Sequence, residues 1–223
     1  MPKITEQGKL RQGRGTGTGV NYKPWIKIRE VNSIGTASTI LNYKTGREVQ
    51  LLSQAEVYYY YLLRWDDTVE DIREQFPLEL AKTLKIADQL EFRHPRSRNT
   101  RMTTDLLVTR KNGLLEAYSI KTDESVLNNP RTIEKLFIEK LYWNSESVPF
   151  HLCYKNDVNK TLVHNIMDVV SCYKTTAVQD NIGMIRHMIA HKKIVVDMES
   201  APLNYQQLVE RYLKSDLRLV QAK

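Results

Sequence analysis

The sequence predicts an α/β domain with a mixed sheet, followed by a small helical, winged-helix-like C-terminal domain. Three observations predict it. Strand-like runs interleave with helical stretches over the first two-thirds of the chain. Beyond Asn156-Asp157 the pattern changes to short helical periods. The chain has 223 residues, of which 41% are hydrophobic and 26% charged. That is enough for one good-sized core plus a small second one, and it excludes global disorder.

The elements follow in order. Residues 1–24 read as a flexible, basic, Gly-rich arm, with little to gain from burial. Pro24 and Trp25 mark its junction with the body. Trp25–Val31, WIKIREV, alternates loosely as a short edge strand would. TILNYKTGREVQLLS reads as a hairpin around Lys44-Thr45-Gly46. Ser53 and Glu56 have capping-box spacing and open a helix containing the run VYYYYLLRW. Tyr58 to Tyr61 go right round that helix, so they cannot all face one core.

Val69–Leu78 is extended and leads to a Pro kink, and LELAKTLKIADQLEF is helical. The linker RHPRSRNTR precedes two strand-like runs, MTTDLLVTR and LLEAYSIK, on either side of Lys111-Asn112-Gly113. Asn129-Pro130 caps the next helix. Ile133, Leu136, Phe137, Lys140 and Leu141 form its expected apolar stripe. Val148–Tyr154 is a last strand, and the domain is expected to span 25–155. Within 156–223, three helical stretches surround the strand-like piece KIVVDM.

Charge and cysteine usage narrow the function classes. The formal charge of +7 suits a polyanion partner. Cys153 and Cys172 are the only cysteines, which excludes a cysteine-only zinc cluster and a disulfide scaffold. No apolar stretch approaches the roughly 18 residues of a membrane span. MPKITEQGKL has no apolar stretch like that of a signal peptide. A soluble, reducing, cytoplasmic setting is expected.

Three residues form a candidate site. Asp105 lies inside an apolar strand, where a carboxylate is costly unless paired or metal-bound. Lys121 ends the following strand, and Glu56 on the helix can supply a second carboxylate. Two carboxylates can hold a divalent ion, while a lysine orients water or stabilises phosphoryl charge. Strand parity tests the idea. A two-residue Asn112-Gly113 turn pairs residues whose numbers sum to 225 and points Asp105 away from Lys121. A three-residue loop, with Gly113 left-handed, pairs residues summing to 224 and sets Asp105 opposite Ser119. The site requires the second register. Each residue also has a plain structural use: Glu56 as a cap, Asp105 as a partner for an arginine, Lys121 as a surface lysine.

The segment LLSQAEVYYYYLLRWDDTVEDIREQFPL resembles TnsA, the endonuclease subunit of heteromeric cut-and-paste transposases. GRGTGTGVNYKPWIKIREV, TTDLLV, YSIK and NPRTIEKLFIEKLYW are also similar to that family. The resemblance covers roughly 11–155. It implies a restriction-endonuclease-like fold and a site of helix glutamate, strand aspartate and strand lysine, falling on Glu56, Asp105 and Lys121. Ser119 stands where nucleases of this fold usually have Glu, Asp or Gln. The Ile120 carbonyl remains a metal ligand, with Ser119 a weaker one.

The implied activity is Mg²⁺-dependent hydrolysis of duplex DNA at the 5′ ends of a mobile element, with Mn²⁺ able to substitute. The implied partners are transposon-end DNA, a DDE-type transposase and an ATP-dependent regulator. Arg11, Arg14, Lys23, Arg93, Arg96, Arg98 and Arg101 are the expected phosphate contacts. Two other classes fit the same residues: a stand-alone restriction or repair nuclease, and an inactive DNA-binding assembly subunit. His187 and His191 have helical i,i+4 spacing but no third ligand nearby, and are expected to be structural.

Overall fold

A computed structural model describes residues 4–31, 37–95, 97–174 and 180–214. They fall into two compact units that divide between Val158 and Asn159.

Unit 1 carries the sheet. Helix α1 is Glu6–Arg11, and the hairpin is β1 (Ser38–Leu41) with β2 (Glu48–Leu51). Helix α2 (Gln54–Trp65) starts at Ser53, whose hydroxyl accepts from the Glu56 amide. The main sheet has the order β3 (Val69–Pro77), β4 (Thr103–Arg110), β5 (Leu115–Lys121), β6 (Phe150–Tyr154). Its first three strands are antiparallel, and β6 runs parallel to β5. The sheet is therefore mixed. Parallel pairing needs a crossover, and α4 (Pro130–Ser145) provides it, capped by Asn129 with Pro130 in its first turn. Helix α3 (Leu80–Gln89) joins α4 on one face. There Leu78, Ala87, Leu107, Ala117, Ile138, Tyr142 and Trp143 form a buried cluster.

Several expectations are corrected here. Residues 4–24 are not a solvated arm: Tyr22 and Trp25 are buried, and the Tyr22 hydroxyl donates to the Glu74 carbonyl. Trp25–Val31 is not a strand. Trp25, Ile26 and their neighbour Pro24 are buried consecutively, which an alternating strand forbids, and Ile28–Glu30 forms a 3₁₀ turn. The buried stripe of α4 is Leu136, Ile138, Glu139, Tyr142 and Trp143, with Phe137 half exposed. It is rotated from the expected stripe because a carboxylate and Trp143 share the inward face. In the tyrosine run, Tyr58 and Tyr60 are buried, and the Tyr59 hydroxyl donates to the Tyr154 carbonyl.

Unit 2 holds α5 (Lys160–Val170), α6 (Asn181–Ala190) and α7 (Tyr205–Val209). No strand occurs among its described residues, so the hairpin that would make a wing is not among them. The expected strand at 193–198 has no pairing partner among the described residues; Met198 is buried, and its carbonyl accepts from the Asn165 amide group. His187 Nδ1 and His191 Nε2 lie within hydrogen-bonding distance of the Cys172 and Tyr173 carbonyls. Both are structural. No helix among the described residues is long and apolar enough to cross a membrane.

Candidate active site

The β4–β5 register decides the site. Leu106 pairs with Tyr118, Leu107 with Ala117 and Val108 with Glu116, each pair summing to 224. The Arg110 amide donates to the Leu114 carbonyl, closing a three-residue loop in which Gly113 has φ +83°. A two-residue type I′ turn would need positive φ at Asn112 as well, but in this hairpin Gly113 alone is left-handed, as the three-residue loop requires. The paired register ends at Leu106 and Tyr118. Beyond it, the Asp105 side chain takes over as acceptor: Oδ2 receives the Ile120 amide at 2.7 Å.

Three oxygens converge on the Lys121 ammonium. Nζ lies 3.2 Å from Asp105 Oδ2, 3.0 Å from Ser119 Oγ and 3.1 Å from the Ile120 carbonyl. Burial pushes the Lys121 amine down, but Asp105, Glu139 and Glu56 outweigh it and hold its pKa above the usual lysine value. It is therefore a cation at neutral pH, suited to balancing phosphoryl charge rather than to taking a proton.

Glu56 is both a cap and a member of this constellation. Its Oε1 accepts from the Ser53 hydroxyl at 2.9 Å, and Oε2 accepts from the Leu52 amide at 2.9 Å and Gln75 Nε2 at 3.1 Å. Burial and the nearby Asp105 charge raise its pKa to about 7, against the pull of those bonds and of Lys121.

Glu139 was not foreseen. It is buried on the inner face of α4, and Thr104 Oγ1 donates to its Oε1 at 2.8 Å. Trp143 Nε1 in turn donates to Thr104 Oγ1 at 2.6 Å. Burial and Asp105 raise its pKa to about 7, opposed by Lys121, Thr104 and Ser119. The signal was present as the core spacing Leu136, Glu139, Trp143, with a carboxylate where an apolar residue belongs.

Asp105, Ser119, Lys121 and Glu139 line a cleft of about 360 Å³, with Thr103, Arg101 and Lys135 at its wall. Glu56 is not among the lining residues, but its proton affinity responds to Asp105 and Lys121. Among the described residues, no three His, Cys, Asp or Glu side chains are grouped closely enough to hold a metal by themselves. The donor set is nonetheless all oxygen, which suits Mg²⁺ or Mn²⁺ completed by water and phosphate. The ammonium of Lys121 stands in for a cation among the Asp105, Ser119 and Ile120 oxygens.

The expected phosphate contacts divide. Arg101 lines the cleft, with Nη1 bonded to the Leu78 carbonyl. Arg93 is exposed; Arg98 is exposed and paired with Asp88. Arg11 and Lys23 are exposed. Arg14 is corrected: it is buried, bonded to Glu30 through Nη1 and Nη2 at 2.7 and 2.6 Å and to the Trp25 carbonyl. Trp25 and Glu30 enclose it away from solvent. Arg96 lies outside the described residues. Lys135, exposed at the cleft, was missed.

A mixed sheet with a carboxylate–lysine pair at the end of two antiparallel strands defines the class. Residues 66–155 match the family model of the TnsA-like endonuclease N-terminal domain, so this stretch is TnsA-like. The transposon Tn7 transposition protein TnsA of Escherichia coli is 37% identical to it over 161 residues, covering 71% of this chain and 59% of that relative. The match thus spans less than two-thirds of the relative's length.

Proposed function

We propose that the chain is the metal-dependent endonuclease subunit of a transposase. In this reading it hydrolyses duplex DNA at the 5′ ends of a mobile element, so that a DDE-type partner transposase can complete cut-and-paste transposition. The single observation that carries the reading is the convergence of Asp105, the Ile120 carbonyl and Ser119 on one cation position. The likeness to TnsA supports it.

Glu56, Asp105 and the Ile120 carbonyl would hold Mg²⁺ or Mn²⁺, with Ser119 as a weaker donor and Glu139 as the carboxylate that Ser119 lacks. The bound ion supplies an activated water and charge neutralisation at the scissile phosphate. With the ion in place, Lys121 would leave the Asp105, Ser119 and Ile120 oxygens and supply positive charge beside that phosphate. The Ile120 amide holds Asp105, and Thr104, itself held by Trp143, holds Glu139. Arg93, Arg101 and Lys135 grip neighbouring phosphates. Unit 2 is assigned contact with DNA and with an ATP-dependent regulator.

Strand-resolved cleavage of labelled element-end DNA tests the proposal, with Mg²⁺, the partner transposase and the regulator present. Cuts at the 5′ ends are expected with the unaltered chain and not with Asp105→Ala. Joining at the 3′ ends without any 5′ cut would make the chain an assembly subunit. Cutting by this chain alone would make it a stand-alone nuclease.

A further inference from the structure

Gln75 departs from its strand at the point nearest the site. In the β3–β4 register, Glu74 pairs with Leu106 and Phe76 with Thr104, which brackets Gln75 opposite Asp105. Its φ is +49°, in the left-handed region, although it is neither glycine nor asparagine. Such a backbone persists only where the surroundings over-determine it. Glu74 and Gln75 are both buried, breaking the alternation of the strand.

The polar groups of Gln75 account for the departure. Nε2 donates to Glu56 Oε2 at 3.1 Å, and Oε1 accepts from Thr103 Oγ1 at 3.3 Å. Its carbonyl accepts from the Trp25 amide at 3.3 Å, so the N-terminal segment pins the same residue from outside. The other two donors to Glu56, Leu52 and Ser53, belong to the start of its own helix. Among the described hydrogen bonds, Gln75 is the link between the Glu56 carboxylate and the sheet that bears Asp105.

We propose that Gln75 is a positioning residue: it ties Glu56 to the strand edge facing Asp105 and so sets the spacing of the two carboxylates for a divalent ion. The proposal rests on the metal-nuclease reading. Outer groups that orient ligands typically change metal affinity about 10–100-fold when removed. Two substitutions separate positioning from folding. Gln75→Met keeps the length and removes both side-chain hydrogen bonds. Gln75→Asn keeps the amide and suits left-handed backbone, but is one methylene too short to reach Glu56.

The test titrates Mn²⁺ into the full chain by calorimetry, with melting followed by circular dichroism in EDTA. We expect Mn²⁺ affinity about tenfold weaker in each variant that folds, with a metal-free melting temperature close to that of the unaltered chain. With partner transposase and DNA, the same variants should need more Mn²⁺ for half-maximal cutting and recover at saturation. Wild-type affinity in a folded variant overturns the proposal. Loss of the fold in both variants also overturns it, because Gln75 would then be structural. If the unaltered chain binds no Mn²⁺, the nuclease reading falls with it; unchanged binding in the variants sinks this inference alone.

Discussion

Glu139 has a carboxyl whose proton affinity is raised by its burial and by Asp105, against Lys121, Thr104 and Ser119. Its pKa, and that of Glu56, rises from 4.5 to about 7 on folding. The sign of the pH effect follows. Between about 4.5 and 7 the folded chain holds protons that the unfolded chain releases, so metal-free stability falls as pH rises through that window. Metal binding needs the ionised forms, so Mn²⁺ affinity should rise through the same window. Glu139→Gln removes one of the two titrations. In EDTA at pH 8 it should melt higher than the unaltered chain by about 2–8 °C, reflecting about 1–2 kcal/mol of relieved desolvation. The difference should shrink at pH 5, while 5′ cutting should fall at least about a hundredfold. Melting curves at the two pH values check the first part. An unaltered chain whose melting point climbs from pH 5 to 8 would contradict it.

At the scale of elements, two glycines make opposite predictions. Gly113 is left-handed, and a Cβ there would meet nothing within 4 Å. Gly113→Ala should cost only the backbone penalty, about 1–2 kcal/mol or about 2–8 °C of melting temperature, and leave cutting intact. At Gly15, φ is +74° and a Cβ would lie 2.2 Å from Pro77 Cγ. Gly15→Ala must move the N-terminal segment off the end of β3, and should both destabilise more and weaken Mn²⁺ binding through Gln75. Equal effects of the two substitutions would undo this account.

The hairpin was legible in the sequence because loop length and parity are local facts: Lys111–Gly113 set the register, and beyond its last pair the Asp105 carboxylate meets the Ile120 amide. The cap at Ser53 and the crossover helix at Asn129-Pro130 were legible for the same reason. The partner that holds Glu139, the burial of Arg14 and the left-handed backbone at Gln75 were not. Each depends on a partner distant in the chain: Thr104 for Glu139, Glu30 and Trp25 for Arg14, Glu56 for Gln75. A composition that reads as a solvated basic arm can pack when its aromatic residues, here Tyr22 and Trp25, find a strand end to cover. The expected strand at 193–198 failed for the converse reason, since alternation without a neighbouring strand gives an extended strap.

Over the whole molecule, the net charge of +7 acts through where its cations point rather than through its sum. Arg101 and Lys135 line the cleft and Arg93 is exposed, whereas Arg14 is enclosed with Glu30. Neutralising a residue that contacts phosphate lowers the salt dependence of DNA binding by about one unit of slope on a log–log plot. Arg93→Gln, Arg101→Gln and Lys135→Gln should each do so while shifting the melting temperature little. Arg14→Gln should leave the slope unchanged and instead cost about 3 kcal/mol, since it strands Glu30 beside a buried cavity of its own making. That corresponds to a fall of about 6–12 °C in melting temperature. Binding of element-end DNA measured across a salt series, together with melting curves for the four variants, separates the two behaviours. If Arg14→Gln lowered the salt slope and spared the fold, the N-terminal segment would be a DNA-binding arm after all. The ordered packing of Tyr22 and Trp25 predicts the reverse: this segment holds β3 beside the candidate site, and exposed cations such as Arg93 and Lys135, with Arg101 at the cleft, meet the phosphate backbone.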